Sequence, residues 1–238
     1  MRPSKRDINQ LREISITTGV NKYAQGSCLI KWGENQILCT ATVENRVPPF
    51  LRNSGKGWVT AEYSMLPAST HQRNQRDAYK SSPNGRALEI QRLIGRSLRS
   101  IVNLEKLGER QIIIDCDVLQ ADGGTRCASI TGGFVALKLA VNQLLKNREI
   151  KSDPITNSIC AVSCGIFKGK TVLDLDYLED SNCEADVNFV LSGDGKIIEI
   201  QGTGEEKPFE FEQIGKMYEL ASKAALEISK IQESAIIS

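Results

Sequence analysis

The chain has 238 residues, 40% of them hydrophobic and 25% charged, with a formal net charge of +1; that is room for one large domain or two small ones around a proper core. No apolar run approaches a membrane span, and the start Met1-Arg2-Pro3-Ser4-Lys5-Arg6 lacks the apolar centre of a signal peptide. The seven cysteines are scattered without a Cys-x-x-Cys pair, and Cys160 and Cys164 have no second pair or histidine cluster to complete a zinc site, so they read as reduced thiols in a cytoplasm.

In chain order, alternating segments predict strands over residues 13–18, 27–32 and 36–43, the last two joined by a hairpin through Gly33-Glu34-Asn35. Residues 58–65 read as another strand. A polar, basic loop follows over residues 71–80. His71 is the lone histidine; it rules out two-histidine hydrolysis of RNA within one chain and reads as a surface contact. A helix is predicted from about residue 85 to 102, with Leu88, Leu93, Ile94, Leu98 and Ile101 facing inward. Its other face carries Arg92, Arg96 and Arg99 as one solvated stripe.

The most informative stretch comes next. Residues 111–119 are apolar and β-branched, a buried strand; Gly123-Gly124-Thr125-Arg126 follows; then Ile130, Phe134, Leu137, Ala140 and Val141 recur at helical spacing over residues 127–145. Strand, glycine turn, Thr-Arg and helix leave backbone N–H groups unpaired at a helix N-terminus, where the dipole favours an anion. Thr125 adds a hydroxyl and Arg126 a planar fork suited to phosphate. The plainer reading is a tight strand-to-helix connection. No Gly-Lys-Ser/Thr follows, so this is not a Walker loop.

Residues 158–167, 171–177, 185–191 and 197–202 read as strands, with Ser192-Gly193-Asp194-Gly195 turning between the last two. A closing helix over about residues 210–231 buries Ile214, Met217, Leu220, Ala221 and Leu226. The two halves hint at a duplication, yet no residue-level repeat proves it and no low-complexity linker separates them. Residues 1–238 are therefore taken as one compact unit.

The near-zero net charge conceals an asymmetry: residues 68–110 hold nine Lys/Arg against four Asp/Glu, and residues 171–212 hold twelve Asp/Glu against two Lys. Such a pattern suits a polyanion held beside a cation or acid catalyst, or opposed surfaces that pair between subunits. Within the acidic segment, Asp174 and Asp176 are expected on one face of a strand, Glu179 and Asp180 in a turn, and Glu184 and Asp186 at the start of the next strand. Six carboxylates this close repel unless solvated or sharing a cation or protons, and Mg²⁺ is the natural hard partner. A solvated hairpin edge accounts for most of them equally well.

Three stretches together resemble a known family. They are Asn84-Gly85-Arg86 opening the helix through Glu89-Ile90-Gln91-Arg92-Leu93-Ile94, the run from Asp115 through Gly123-Gly124-Thr125-Arg126, and the run from Leu173 through Glu179-Asp180 to Asp186-Val187-Asn188. With Arg2-Pro3 and Gly202-Thr203 they resemble the ribonuclease PH family over nearly the whole chain. The resemblance implies the ribosomal protein S5 domain 2-like α/β (α+β) fold, mixed sheets with helices packed on them. It also implies a phosphorolytic 3′-to-5′ exoribonuclease, classed as a nucleotidyltransferase, acting on tRNA precursors and some ribosomal RNA from a hexameric ring built as a trimer of dimers.

Position by position, the resemblance places inorganic phosphate at Arg86 and at Gly124, Thr125 and Arg126. It makes Asp180 and Asp186 the catalytic acids, working with Mg²⁺, and Arg73 and Arg76 the basic loop that guides tRNA. Arg92 falls in the matching helix, with a structural or subunit-contact role equally open. Cys127 is assigned no chemistry. Two other classes stand beside this reading. A non-catalytic RNA-binding ring subunit would lack an arginine or aspartate at these positions, and a small-molecule phosphotransferase of the same fold would have no use for Arg73 and Arg76.

Overall fold

Period-two alternation builds the first sheet. β1 (Ile14–Thr18), β2 (Gly26–Trp32), β3 (Asn35–Glu44), β4 (Trp58–Met65) and β5 (Gln111–Gln120) lie in the order β1-β2-β3-β5-β4, antiparallel except that β4 runs parallel to β5. Ile37, Cys39 and Ala41 of β3 and Ile112, Ile114, Cys116 and Val118 of β5 point inward, with half-buried residues between them. β6 (Ile159–Phe167), β7 (Lys170–Leu173), β8 (Ala185–Ser192) and β9 (Ile197–Gly204) form a second, antiparallel sheet in the order β7-β6-β8-β9. This computed structural model describes residues 2–76, 84–205 and 208–237, so the part of the basic loop from Asp77 to Lys80 lies outside the described residues.

Among the described residues five α-helices complete the fold: α1 (Gly85–Ser100), α2 (Leu104–Leu107), α3 (Thr125–Lys146), α4 (Tyr177–Asp180) and α5 (Phe211–Ile237). α3 packs against β2, β3 and β5 of one sheet and β6 of the other, and one apolar core runs through both layers. By length and composition alone α3 would pass for a membrane span, contrary to the expectation from hydropathy; it is instead the buried core helix, covered by protein on nearly every side. α1 lies on β4, and α5 on β6 and β1.

Several local expectations change once these elements pack. Leu88 is exposed, because the buried face of α1 follows Ile90, Leu93, Ile94, Ser97 and Leu98. Leu226 is likewise exposed, and Ala224, Ala225 and Ile228 occupy the buried face of α5 in its place. The arginine stripe of α1 is not simply solvated. Arg96 Nε donates to Glu199 of β9 at 2.6 Å, while Arg99 donates to the Val59 carbonyl at 2.7 Å and lies 4.2 Å above the Trp58 ring. α1 is thereby fastened to both sheets, and of the stripe's three arginines Arg92 is the exposed one.

The acidic segment departs furthest from expectation. β7 ends at Leu173, and Asp174 takes a left-handed φ of 55°, so Asp174 and Asp176 do not share a strand face. Asp174, Asp176 and Glu179 are buried, and three arginines from the first twelve residues reach them. Arg2 grips Glu179 through Nε and Nη2 at 2.6 and 2.7 Å, and Arg12 Nη2 lies 2.7 Å from Asp174 Oδ1. Arg6 joins all three carboxylates at 3.1–3.4 Å. The repulsion foreseen from the spacing is relieved here by guanidinium groups.

Candidate active site

β5 delivers the chain into Gly123 and Gly124, both left-handed at φ 70° and 73°, and α3 begins at Thr125. Gly124 is the N-cap residue and has no side chain to cap with. Its carbonyl accepts from Cys127 and Ala128 N–H, while among the described residues the N–H groups of Gly124, Thr125 and Arg126 find no acceptor. They are the orphan donors of the helix start. Gly123 is required for a second reason: a Cβ there would sit 2.7 Å from the Asp176 carbonyl carbon and 2.8 Å from Tyr177 N. This contact brings the start of α3 against the start of α4.

α4 is a single turn held by a capping box, in which Glu179 N–H donates to Asp176 Oδ1 at 3.0 Å and Asp176 N–H to Glu179 Oε2 at 3.2 Å. The last residue of that turn is Asp180, whose N–H donates to the Asp176 carbonyl at 2.8 Å. Asp186 lies on β8. Both aspartates line one open cavity of about 620 Å³ with Arg86 and Glu89 of α1, Gly124, Thr125 and Arg126, Ser163 of β6, Asn188 of β8, and the stretch from Ile200 to Thr203 with Glu205. All six residues assigned to phosphate or catalysis from sequence therefore meet in one place.

The electrostatics of the two carboxylates are matched. Burial pushes the Asp180 carboxyl above its ordinary value and Glu205 adds to this, against the pull of Arg86 and Arg126. Burial also raises Asp186, reinforced by the charge of Asp180 and opposed by Arg126. Each aspartate thus gains from a shared proton or a cation. Across the cavity Arg126 Nη1 donates to Gln201 Oε1 at 3.0 Å and lies 3.5 Å from Glu89.

Tyr63, Ser163, Asn188 and Gln201 are site residues that the sequence did not reveal. The Tyr63 hydroxyl lies 2.9 Å from Thr125 Oγ1, and Ser163 Oγ accepts from Leu175 N–H at 3.0 Å. Tyr63, Ser163 and Asn188 sit on strands whose local pattern reports only burial, and Gln201 on the largely exposed β9. Cys127 donates to Asn188 Oδ1, and burial pushes its thiol up to about 12, in keeping with a packing role. Arg73 and Arg76 are exposed on the loop after β4 and do not line the cavity. The same loop reaches α4, since the His71 ring lies 5.8 Å from that of Tyr177.

Two arginines and an uncapped helix start share a cavity with two carboxylates, which is a site able to take an anion on one wall and a cation or proton on the other. The fold and the sequence then identify the class. Residues 10–142 match the 3′ exoribonuclease family, domain 1, and residues 157–224 match its domain 2. The chain belongs to the ribonuclease PH family of 3′ exoribonucleases. It is 57% identical over 236 residues to the ribonuclease PH of Caulobacter vibrioides, covering 99% of each chain. Identity to the ribonuclease PH of Cereibacter sphaeroides is 56%, over 99% of this chain and all of the relative. Among solved structures, rice (Oryza sativa) Rrp46 superposes with a TM-score of 0.80 at 19% identity, over 99% of this chain and 100% of that one. An Archaeoglobus fulgidus exosome chain, from a structure with RNA bound to the active site, gives 0.79 at 18% identity, over 96% and 91%.

Proposed function

We propose that the chain trims RNA from its 3′ end by phosphorolysis, acting on tRNA precursors beyond the CCA end and on some ribosomal RNA. An oxygen of inorganic phosphate bonds to the terminal nucleotide's phosphorus, the bond to the preceding 3′ oxygen breaks, and that oxygen takes up a proton. A nucleoside diphosphate leaves, and the reverse reaction is nucleotidyl transfer. The single observation carrying this reading is the shared cavity of Arg86, Arg126 and the α3 turn with Asp180 and Asp186.

The attacking phosphate and the phosphodiester repel, so the site must hold two anions in line. Arg86, Arg126 and the free turn N–H groups neutralise the first. Binding at about 1 mM needs only about 4 kcal/mol. Two or three charge-assisted hydrogen bonds of roughly 1.5–3 kcal/mol each suffice. On the other wall, the member of the Asp180–Asp186 pair that keeps its proton can deliver it to the leaving 3′ oxygen.

The donor set also fits Mg²⁺. Among the described residues no group of three or more His, Cys, Asp or Glu forms a metal cage, yet Mg²⁺ is commonly held by one or two carboxylates with substrate oxygens and waters completing its shell. Asp180 and Asp186 would hold it, and when bound it would neutralise charge on the scissile phosphate. Arg73 and Arg76, exposed and poor in aromatic neighbours, serve on this reading as backbone contacts for folded tRNA. The working form is a cytoplasmic homo-hexamer, a trimer of dimers, in which exposed Tyr23, Phe50 and Phe211 offer apolar surface to cover. A non-catalytic ring subunit fits less well, because every charged group the chemistry needs is retained.

The test is incubation of a 3′-extended tRNA with the protein and Mg²⁺, with and without phosphate. Nucleoside diphosphates appearing only with phosphate are expected. Monophosphates released without phosphate would make the chain a hydrolase, and no release from bound RNA would favour the non-catalytic subunit.

A further inference from the structure

We infer that Arg12 and Asn35 are positioning residues for phosphate, forming a clamp behind the glycine turn that keeps its N–H groups turned into the cavity. Neither lines the cavity. The inference rests on the phosphorolytic reading and extends it to two residues of the first sheet region.

The clamp acts on the carbonyls of the turn. Arg12 Nη1 donates to the Asp122 carbonyl, and Nη1 and Nη2 each reach the Gly123 carbonyl at 3.3 Å. Asn35 Nδ2 donates to the same Gly123 carbonyl at 2.6 Å, and Asn35 Oδ1 accepts from Asp122 N–H at 2.7 Å. In a helix extended backward, the Asp122 and Gly123 carbonyls would be the acceptors for Arg126 and Cys127 N–H. Arg12 and Asn35 occupy them, so the helix cannot grow backward and the first N–H groups of α3 stay unpaired.

Asp174 aims the clamp. It accepts from Arg12 Nη2 at 2.7 Å, from Arg12 Nε at 3.1 Å, from Arg12 N–H at 2.7 Å and from Trp32 Nε1 at 3.0 Å, and so fixes the guanidinium in one plane. The surrounding chain is shaped to admit it. A Cβ on Gly33 would meet Arg12 Cδ at 2.5 Å, and one on Gly124 would meet Arg12 Nη2 at 3.1 Å. Asn35 is fully buried and Arg12 nearly so, which holds both in one arrangement. A guanidinium supplies donors in a fixed fork; an ammonium at the same place supplies charge without that geometry.

The experiment is steady-state phosphorolysis of a 3′-extended tRNA by Arg12→Lys, Asn35→Ser and a control, Leu107→Val. The control removes buried packing on α2 and belongs neither to the clamp nor to the cavity lining. KM for phosphate and KM for RNA are measured separately, at a temperature where each variant is folded by circular dichroism. Arg12→Lys and Asn35→Ser should each raise KM for phosphate at least tenfold while KM for RNA changes less than twofold, and Leu107→Val should lower thermal stability without that split. Equal shifts in both KM values, no shift, or normal phosphate KM in Arg12→Lys would overturn the clamp. Should Arg12→Lys fail to fold, Asn35→Ser alone decides, since it removes the second donor to the Gly123 carbonyl. Absence of phosphate saturation in the unaltered protein would instead defeat the phosphorolytic reading.

Discussion

Substituting Gly123 by alanine tests whether the glycine turn that opens α3 and the α4 turn that carries Asp180 are mechanically joined. The new Cβ would lie 2.7 Å from the Asp176 carbonyl carbon, 2.8 Å from Tyr177 N and 3.1 Å from the Asp176 oxygen, all backbone atoms that cannot rotate away. Gly169 provides the matched control: its φ of +72° nearly equals the +70° of Gly123, and nothing lies within 4 Å of its Cβ position. Left-handed strain costs roughly 1–2 kcal/mol at either site. Overpacking adds about 1–3 kcal/mol at Gly123 only. With roughly 2–4 °C per kcal/mol for a chain of this length, Gly123→Ala should unfold about 6 °C below Gly169→Ala. Because the strain is relieved by separating α3 from α4, KM for phosphate should rise and kcat fall in Gly123→Ala alone. Thermal unfolding with paired phosphate titrations reads both. Equal unfolding temperatures and equal kinetics in the two variants would refute the coupling.

Arg126→Ala removes one or two charge-assisted hydrogen bonds, so KM for phosphate should rise roughly 10- to 100-fold while RNA binding by filter retention stays nearly intact; equal loss of RNA binding would assign Arg126 to the RNA. Asp180→Asn should abolish turnover in both directions, yet raise the unfolding temperature of the free protein at neutral pH, since burial and the Asp186 and Glu205 charges disfavour an ionised Asp180. Persistent RNA synthesis from nucleoside diphosphates in that variant would remove Asp180 from the chemical step. Arg73→Ala combined with Arg76→Ala should weaken tRNA binding more than cleavage of a short oligomer and reduce the salt slope by about 2; uniform loss on both substrates would count against a guiding role. Acid lability should trace to Asp174 and Glu179. Burial raises both carboxyls, but Arg12 with Trp32 at Asp174, and Arg2 with the Asp176 N–H and Arg6 at Glu179, together leave each below its ordinary value. Their stabilisation is complete above the unfolded carboxylate range near pH 4 and is lost as pH falls through the depressed folded values, so Asp174→Asn should flatten the acid limb of an unfolding-temperature profile.

Much of the molecule is written locally. β4 begins and ends where alternation places it, and the remaining strands except β7 fall within two residues of expectation. The glycine turn that opens α3 is legible for the same reason: two glycines, a hydroxyl and an arginine stand between a strand and a helix within four neighbouring residues. Arg86, Asp180 and Asp186 are legible only within longer motifs that resemble the family, because their meeting in one cavity depends on segments far apart in the chain.

What the sequence could not decide was how the acidic segment divides. Six carboxylates within thirteen residues look alike in the string. Asp174 and Glu179 meet Arg12 and Arg2 across 162 and 177 residues of chain, so which carboxylates become buried anchors depends on where the N-terminal segment returns. Asp180 and Asp186 are left to the cavity because those arginines do not reach them. Arg96 and Arg99 changed role likewise, from a solvated helix face to ties to Glu199 and Val59, once β9 and β4 lay beside α1. Local periodicity reports which side of an element is apolar; the partner of a charge is chosen only when distant segments meet, and at this site that choice separates the scaffold from the chemistry.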